Sequence, residues 1–237
     1  MRGTWRNAFA LSLILAVGGT LPSGGSMNGL AKTKSNGSIE PGLKVIARVY
    51  NYARVDPETL ALAERDALRI FQYAGVTIVW RDIPISSVKQ GAVQAPKPDE
   101  TATGFPDVFL RIVPSSMSPL DRLETLGCAL PSSKGKPASD AWVLFDRIQR
   151  VARFGTASQH QILGHAMAHE IGHLLLGQDA HSAAGVMRAD WRIQDYILMS
   201  QGSLLFTPRQ AERIRLAVQV RTREQDDRVS ARQFDSR

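Results

Sequence analysis

Apolar positions along this chain repeat with two periods, and the change from one to the other marks its elements. Leu43 to Tyr50 (LKVIARVY) has the alternation and β-branching of a strand. Asp56-Pro57 then supplies an N-cap and a first-turn proline, after which Leu60, Ala63, Ala67, Ile70, Phe71 and Ala74 recur at helical spacing up to Gly75. Val76 to Trp80 reads as a second strand and Val108 to Val113 as a third. Between them Ser86 to Asp107, with Gly91, Pro96, Pro98 and Gly104, reads as a long surface loop. Thr125 to Leu130 (TLGCAL) and Ala141 to Ile148 (AWVLFDRI) read as two more strands around the loop at residues 132–136. Ser158-x-x-Gln161 is a capping box that opens a helix running to about Leu176, where Gly177 stops it. A second box, Thr207 to Gln210, opens a last helix to about Thr222. The pattern predicts one α/β domain over residues 43–225, in the order strand, helix, four strands, helix, irregular segment, helix. Residues 27–42 read as a linker and 226–237 as a flexible tail.

The first residues carry a different signal. Arg2 and Arg6 precede the apolar run Ala8 to Val17 and the small-residue stretch Gly18 to Ser26, the layout of a signal peptide over residues 1–26. A run of about ten apolar residues is too short for a bilayer core that needs about 20, so export without stable membrane insertion is expected. The expected location is therefore secreted or periplasmic.

Composition narrows the class. With 43% hydrophobic and 22% charged residues among 237, the chain is neither disordered overall nor a multi-span membrane protein. One cysteine, Cys128, excludes an intramolecular disulfide framework and any multi-cysteine zinc module. A net charge of +7 is a mild bias with no nucleic-acid motif behind it, so no nucleic-acid partner is expected.

The histidines are what turn the reading toward chemistry. All five lie between His160 and His181, and among them stands His169-Glu170-Ile171-Gly172-His173, an H-E-x-x-H motif. On a helix, residues i and i+4 are about 6 Å apart along the axis and about 40° apart around it, so two imidazoles can converge on one metal. Glu170 points to a neighbouring face, placed to take a proton from a water at that metal and return it to a leaving amine. The flanks Ile162, Leu163, Met167, Ile171, Leu174 and Leu175 are apolar, and burying these groups without a metal would be costly. His165 reads as a core or surface histidine and His160 as an exposed one. Trp191 and Tyr196 read as core, and the arginines of the last helix as a solvated face.

Downstream come Gly177, Asp179, His181, Ser182 and then Gly185-Val186-Met187. Here the chain resembles the metzincin metallopeptidases, especially the matrixin-like branch and predicted zinc-dependent proteases. Their motif reads H-E-x-x-H-x-x-G-x-x-H and is followed by a tight turn with a methionine beneath the metal. The resemblance implies a zincin-like single catalytic domain with a five-stranded mixed twisted sheet, an N-terminal helix, an active-site helix and a C-terminal helix. It implies one catalytic zinc held by His169, His173 and His181, zinc-activated water with Glu170 as general base, and Met187 as the Met-turn residue. It further implies that Gly127, Cys128 and Ala129 lie on an edge strand that pairs with an extended protein or peptide substrate. The spacing departs from the family: Gly177 stands one place further from His173, and His181 two places further. Rigid counting puts Asp179 in the third-ligand slot, whereas one added helical residue and one added loop residue move it to His181. A non-catalytic secreted binding protein with a structural zinc is the alternative, and Glu170, which such a site does not use, speaks against it.

Overall fold

The computed structural model describes residues 42–85, 105–117, 125–130 and 138–235; the expected signal segment and linker lie outside them, apart from Gly42. Five strands form one sheet: β1 (Lys44–Asn51), β2 (Thr77–Asp82), β3 (Asp107–Val113), β4 (Gly127–Ala129) and β5 (Asp140–Leu144). Their order is β2-β1-β3-β5-β4, with every neighbouring pair parallel except β4, which runs antiparallel to β5 at one edge. The helices are α1 (Pro57–Tyr73), α2 (Phe145–Ala152), α3 (Gln159–Leu176), α4 (Ile193–Ser200) and α5 (Pro208–Asp235).

Alternation along β1 sends Val45, Ala47 and Val49 into the main core, where they meet the stripe Leu60, Ala63, Ala67, Ile70 and Phe71 of α1. Asp56 caps α1 by accepting from the Thr59 amide at 2.9 Å. The helix that matters most is α3, which packs against α1, α2, α4, α5, β3, β4 and β5. It is buried nearly all the way round, as its apolar flanks predict. Both expected capping boxes form. Gln161 N donates to Ser158 Oγ (3.3 Å) and Ser158 N to Gln161 Oε1 (2.9 Å), while Thr207 and Gln210 make the same exchange at α5 (3.3 and 3.0 Å).

Three elements differ from the sequence reading. The expected strand Ala141 to Ile148 ends at Leu144, and Phe145 opens α2. The continuous apolar run Trp142 to Phe145 carries no period, whereas Phe145 and Ile148, both buried, continue at helical spacing. The segment read as irregular contains α4, whose start lacks a capping side chain at Arg192; Asp195 Oδ2 instead accepts from the Arg192 amide at 2.8 Å. The last helix continues past Thr222 to Asp235. Its arginines are not all a solvated face. Arg213 donates to Leu176 O (3.0 Å), Arg221 to Leu174 O, and Arg215 to Ala74 O (2.9 Å), closing the carbonyls at the ends of α3 and α1.

Candidate metal centre

The second half of α3 carries His169, Glu170 and His173, one turn apart and buried or nearly so. The helix stops at Gly177, which adopts φ +97° and gives its amide to His173 O at 2.9 Å. The chain then doubles back, and exposed His181 returns to the helix. The ring of His173 stands edge-on to both other imidazoles, with centroids 4.7 Å from His169 and 4.6 Å from His181. His173 Nε2 lies 3.1 Å from His169 Nε2 and 3.0 Å from His181 Nε2. Asp179, exposed in the turn, is outside this group, so the structure brings together His169, His173 and His181.

The tautomers follow from the partners. His169 Nδ1 lies 2.8 Å from Val186 O, and His173 Nδ1 3.2 Å from Gly177 O. A carbonyl oxygen only accepts, so both Nδ1 atoms carry the proton and both Nε2 atoms present a bare lone pair. Burial pushes the His169 pKa down to about 4 and lowers that of His173, keeping the rings neutral at ordinary pH. Bare lone pairs about 3 Å apart repel unless a cation lies between them. Tetrahedral zinc with Zn–N near 2.0–2.1 Å sets its nitrogens about 3.3 Å apart, close to the spacings of His173 Nε2 from His169 and His181. The three imidazoles could therefore hold a metal ion, and the donor set fits zinc.

Two devices outside the histidines hold this geometry. The first is the turn Gly185-Val186-Met187. Gly185 has φ +78°, and a Cβ on it would meet Leu205 O at 2.5 Å, so only glycine fits there. Met187 is fully buried, and a Cβ on Gly172 would lie 2.5 Å from its Sδ, so the thioether presses on α3 between the two helical histidines. Val186 O accepts a second hydrogen bond, from Trp191 Nε1 at 3.1 Å, and the indole stands edge-on to His169 with centroids 5.8 Å apart. The second device is Gln210, buried in the capping box of α5. Its Nε2 donates to Ser182 Oγ (2.9 Å) and reaches Ala180 O (3.5 Å), gripping the chain on either side of His181.

Neither Trp191 nor Gln210 is assigned such a role by the sequence pattern. A capping box signals Gln210's place on its helix, but nothing local signals what its free amide reaches. His165 does not join the cluster; it is fully buried, and its Nδ1 donates to Gln161 O at 2.7 Å. His160, expected to be simply exposed, pairs with Asp66 at 3.0 Å.

Glu170 lies on the sheet side. It is buried, Oε2 has no hydrogen-bond partner, and desolvation raises its pKa to about 8 in the metal-free chain. Beside it runs β4, the outermost strand. Leu126 O accepts from Leu144 N (2.8 Å) and Leu130 N donates to Asp140 O (2.8 Å), so Leu126, Cys128 and Leu130 bond to β5. By the alternation of an antiparallel ladder, the main-chain groups of Gly127 and Ala129 then point away from β5, toward an edge that no described strand covers. Cys128 packs with Trp142 and Leu144 in the small second core, and burial, followed by the charge of Glu170, raises its pKa to about 11, which keeps it a thiol. Arg147 of α2 steadies the entry to this strand by donating to Thr125 O at 2.7 Å.

No protein-family model and no curated protein matches the chain. Among solved structures it is similar to a zinc-dependent peptidase from Methanocorpusculum labreanum (strain Z), at 14% identity and a TM-score of 0.43, over 71% of this chain and 99% of that one. A likeness at that level carries no weight for chemistry.

Proposed function

We propose that the chain is an exported zinc metalloendopeptidase of metzincin type, with His169, His173 and His181 as metal ligands, Glu170 as general base and Met187 as the Met-turn residue. One observation carries the reading: three imidazole Nε2 atoms converge beside a buried carboxylate, next to a strand whose outer edge is unpaired among the described residues. A zinc ion there, when bound, would supply a Lewis acid for the scissile carbonyl and lower the pKa of water.

The chain's own residues do the rest. Extended substrate adds to the edge of β4, exchanging main-chain hydrogen bonds with Gly127 and Ala129. Beside a bound cation the carboxylate form of Glu170 is favoured over the protonated form of the metal-free chain. That carboxylate takes the proton of the attacking water and returns it to the leaving amine nitrogen. A purely structural metal would give the carboxylate of Glu170 no reason to be desolvated beside an open strand. Export rests on Arg2, Arg6 and the run Ala8 to Val17, outside the described residues.

Incubation with an unfolded polypeptide tests the reading. The zinc-loaded chain should cleave internal bonds, a chelator should abolish cleavage, and added zinc should restore it. Cleavage that persists in chelator with the metal removed would contradict it.

A further inference from the structure

The glycine at position 127 has a use beyond leaving room for a substrate strand. It lies on the face of β4 turned toward α3, while Cys128 faces the opposite core. Its φ is outside the left-handed region, so backbone conformation does not require glycine there. Space does. A Cβ at 127 would lie 2.7 Å from Glu170 Oε1, 2.8 Å from Glu170 Cγ and 2.6 Å from Trp142 O, all closer than real Cβ atoms come. Glu170 Oε2 is buried with no hydrogen-bond partner among the described residues, so no hydrogen bond at that oxygen orients the carboxylate. Packing against Oε1 and Cγ places the group instead, and the bare backbone of Gly127 supplies part of that packing.

We propose that Gly127 is a positioning residue: its missing side chain is the slot that seats the Glu170 carboxylate between α3 and the edge strand. The general base and the strand that would carry substrate then share one surface. A peptide bond docked on that strand meets the carboxylate without any side chain intervening. The catalytic consequence rests on the peptidase reading above; the packing relation does not. A residue with a side chain at 127 swings Glu170 away while leaving the three histidines, on other residues of α3 and its following loop, where they are.

The test is a double-mutant cycle on the full chain, comparing wild type, Gly127→Ala, Glu170→Ala and the double variant by denaturant unfolding, zinc titration and turnover. Gly127→Ala is expected to lower the folding equilibrium constant at least about threefold more in the wild-type background than with Glu170→Ala, because the contacts with Glu170 Oε1 and Cγ are then gone while the one with Trp142 O costs the same in both. Zinc affinity should stay within about threefold in all four proteins, while kcat of Gly127→Ala falls by about tenfold or more at little-changed KM. If Gly127→Ala alone fails to fold, the double variant should recover folding. An equal cost in both backgrounds, or a double variant as unfolded as the single, would assign the glycine to Trp142 O instead and overturn the proposal. Strong coupling in a zinc-loaded wild type that cleaves nothing would support the slot and remove the peptidase reading.

Discussion

The carbonyl of Val186 accepts two hydrogen bonds, from His169 Nδ1 at 2.8 Å and from Trp191 Nε1 at 3.1 Å. The indole thereby fixes the oxygen that orients the first imidazole. Trp191→Phe keeps most of the packing and deletes the donor, so zinc affinity should fall by roughly tenfold or more, measured by competition with a chromogenic chelator. Unchanged affinity would mean that the turn holds the carbonyl unaided. At this scale the sequence is legible where chemistry is local. His169, Glu170 and His173 follow from one helical period, and Met187 stands two places after a glycine that only a tight turn needs. Trp191 and Gln210 are not legible, because their hydrogen bonds go to backbone brought near by the tertiary fold.

The ends of elements decide which side chain joins the two helical histidines. Helix α3 runs to Leu176 and Gly177 turns the chain, so Asp179 falls in the exposed turn while His181 comes back against His173. A count of residues cannot choose between the two; the end of the helix does, and Gly177 marks that end in the sequence. His181→Ala should therefore lower zinc affinity by about a hundredfold or more, while Asp179→Ala leaves it within about threefold, in the same titration. Loss of metal on Asp179→Ala with retention on His181→Ala would reverse the assignment. The capped elements α1, α3 and α5 can be read because Asp56, Ser158 and Thr207 announce them. Helices α2 and α4 lack such a signal. Leu144 and Arg192 make poor N-caps, and the amphipathic period of each spans only two turns.

Across the whole molecule the buried ionisable groups give the metal-free chain a stability maximum. Burial holds the pKa of His165 and His169 near 4, so below about 6.5 the unfolded chain takes up protons that the folded chain refuses, and stability falls toward pH 4. Burial raises Glu170 to about 8, and burial together with Asp82 raises Glu64. From about pH 4.5 to 8 these carboxyls are ionised in the unfolded chain but protonated in the folded one, so their contribution to stability falls as pH rises through that window. Thermal melts of chelator-treated protein should therefore peak at about pH 5 to 6, where the histidine and carboxyl slopes cancel. Glu170→Gln should flatten the alkaline side by roughly 1.4 kcal/mol per pH unit, one proton's worth. An alkaline slope identical in wild type and Glu170→Gln would mean that Glu170 is ionised in the folded metal-free chain. The sheet's membership was readable from alternation in β1 and from the short apolar runs of β2 and β3, but its order was not. Which strand lies at the edge is set by how β4 returns antiparallel to β5, a long-range pairing that no local pattern encodes.

The central claim is that one carboxylate beside a three-histidine metal centre does peptidase chemistry, and a comparison of wild type with Glu170→Ala tests it most directly. Both proteins, loaded with zinc and assayed for metal content and for cleavage of the same unfolded polypeptide, should hold about one zinc per chain. Wild type should cleave, and the variant should be slower by about a hundredfold or more, the loss expected when only a general base is removed. Zinc-loaded wild type without cleavage, or a Glu170→Ala protein with near-normal turnover, would contradict the account.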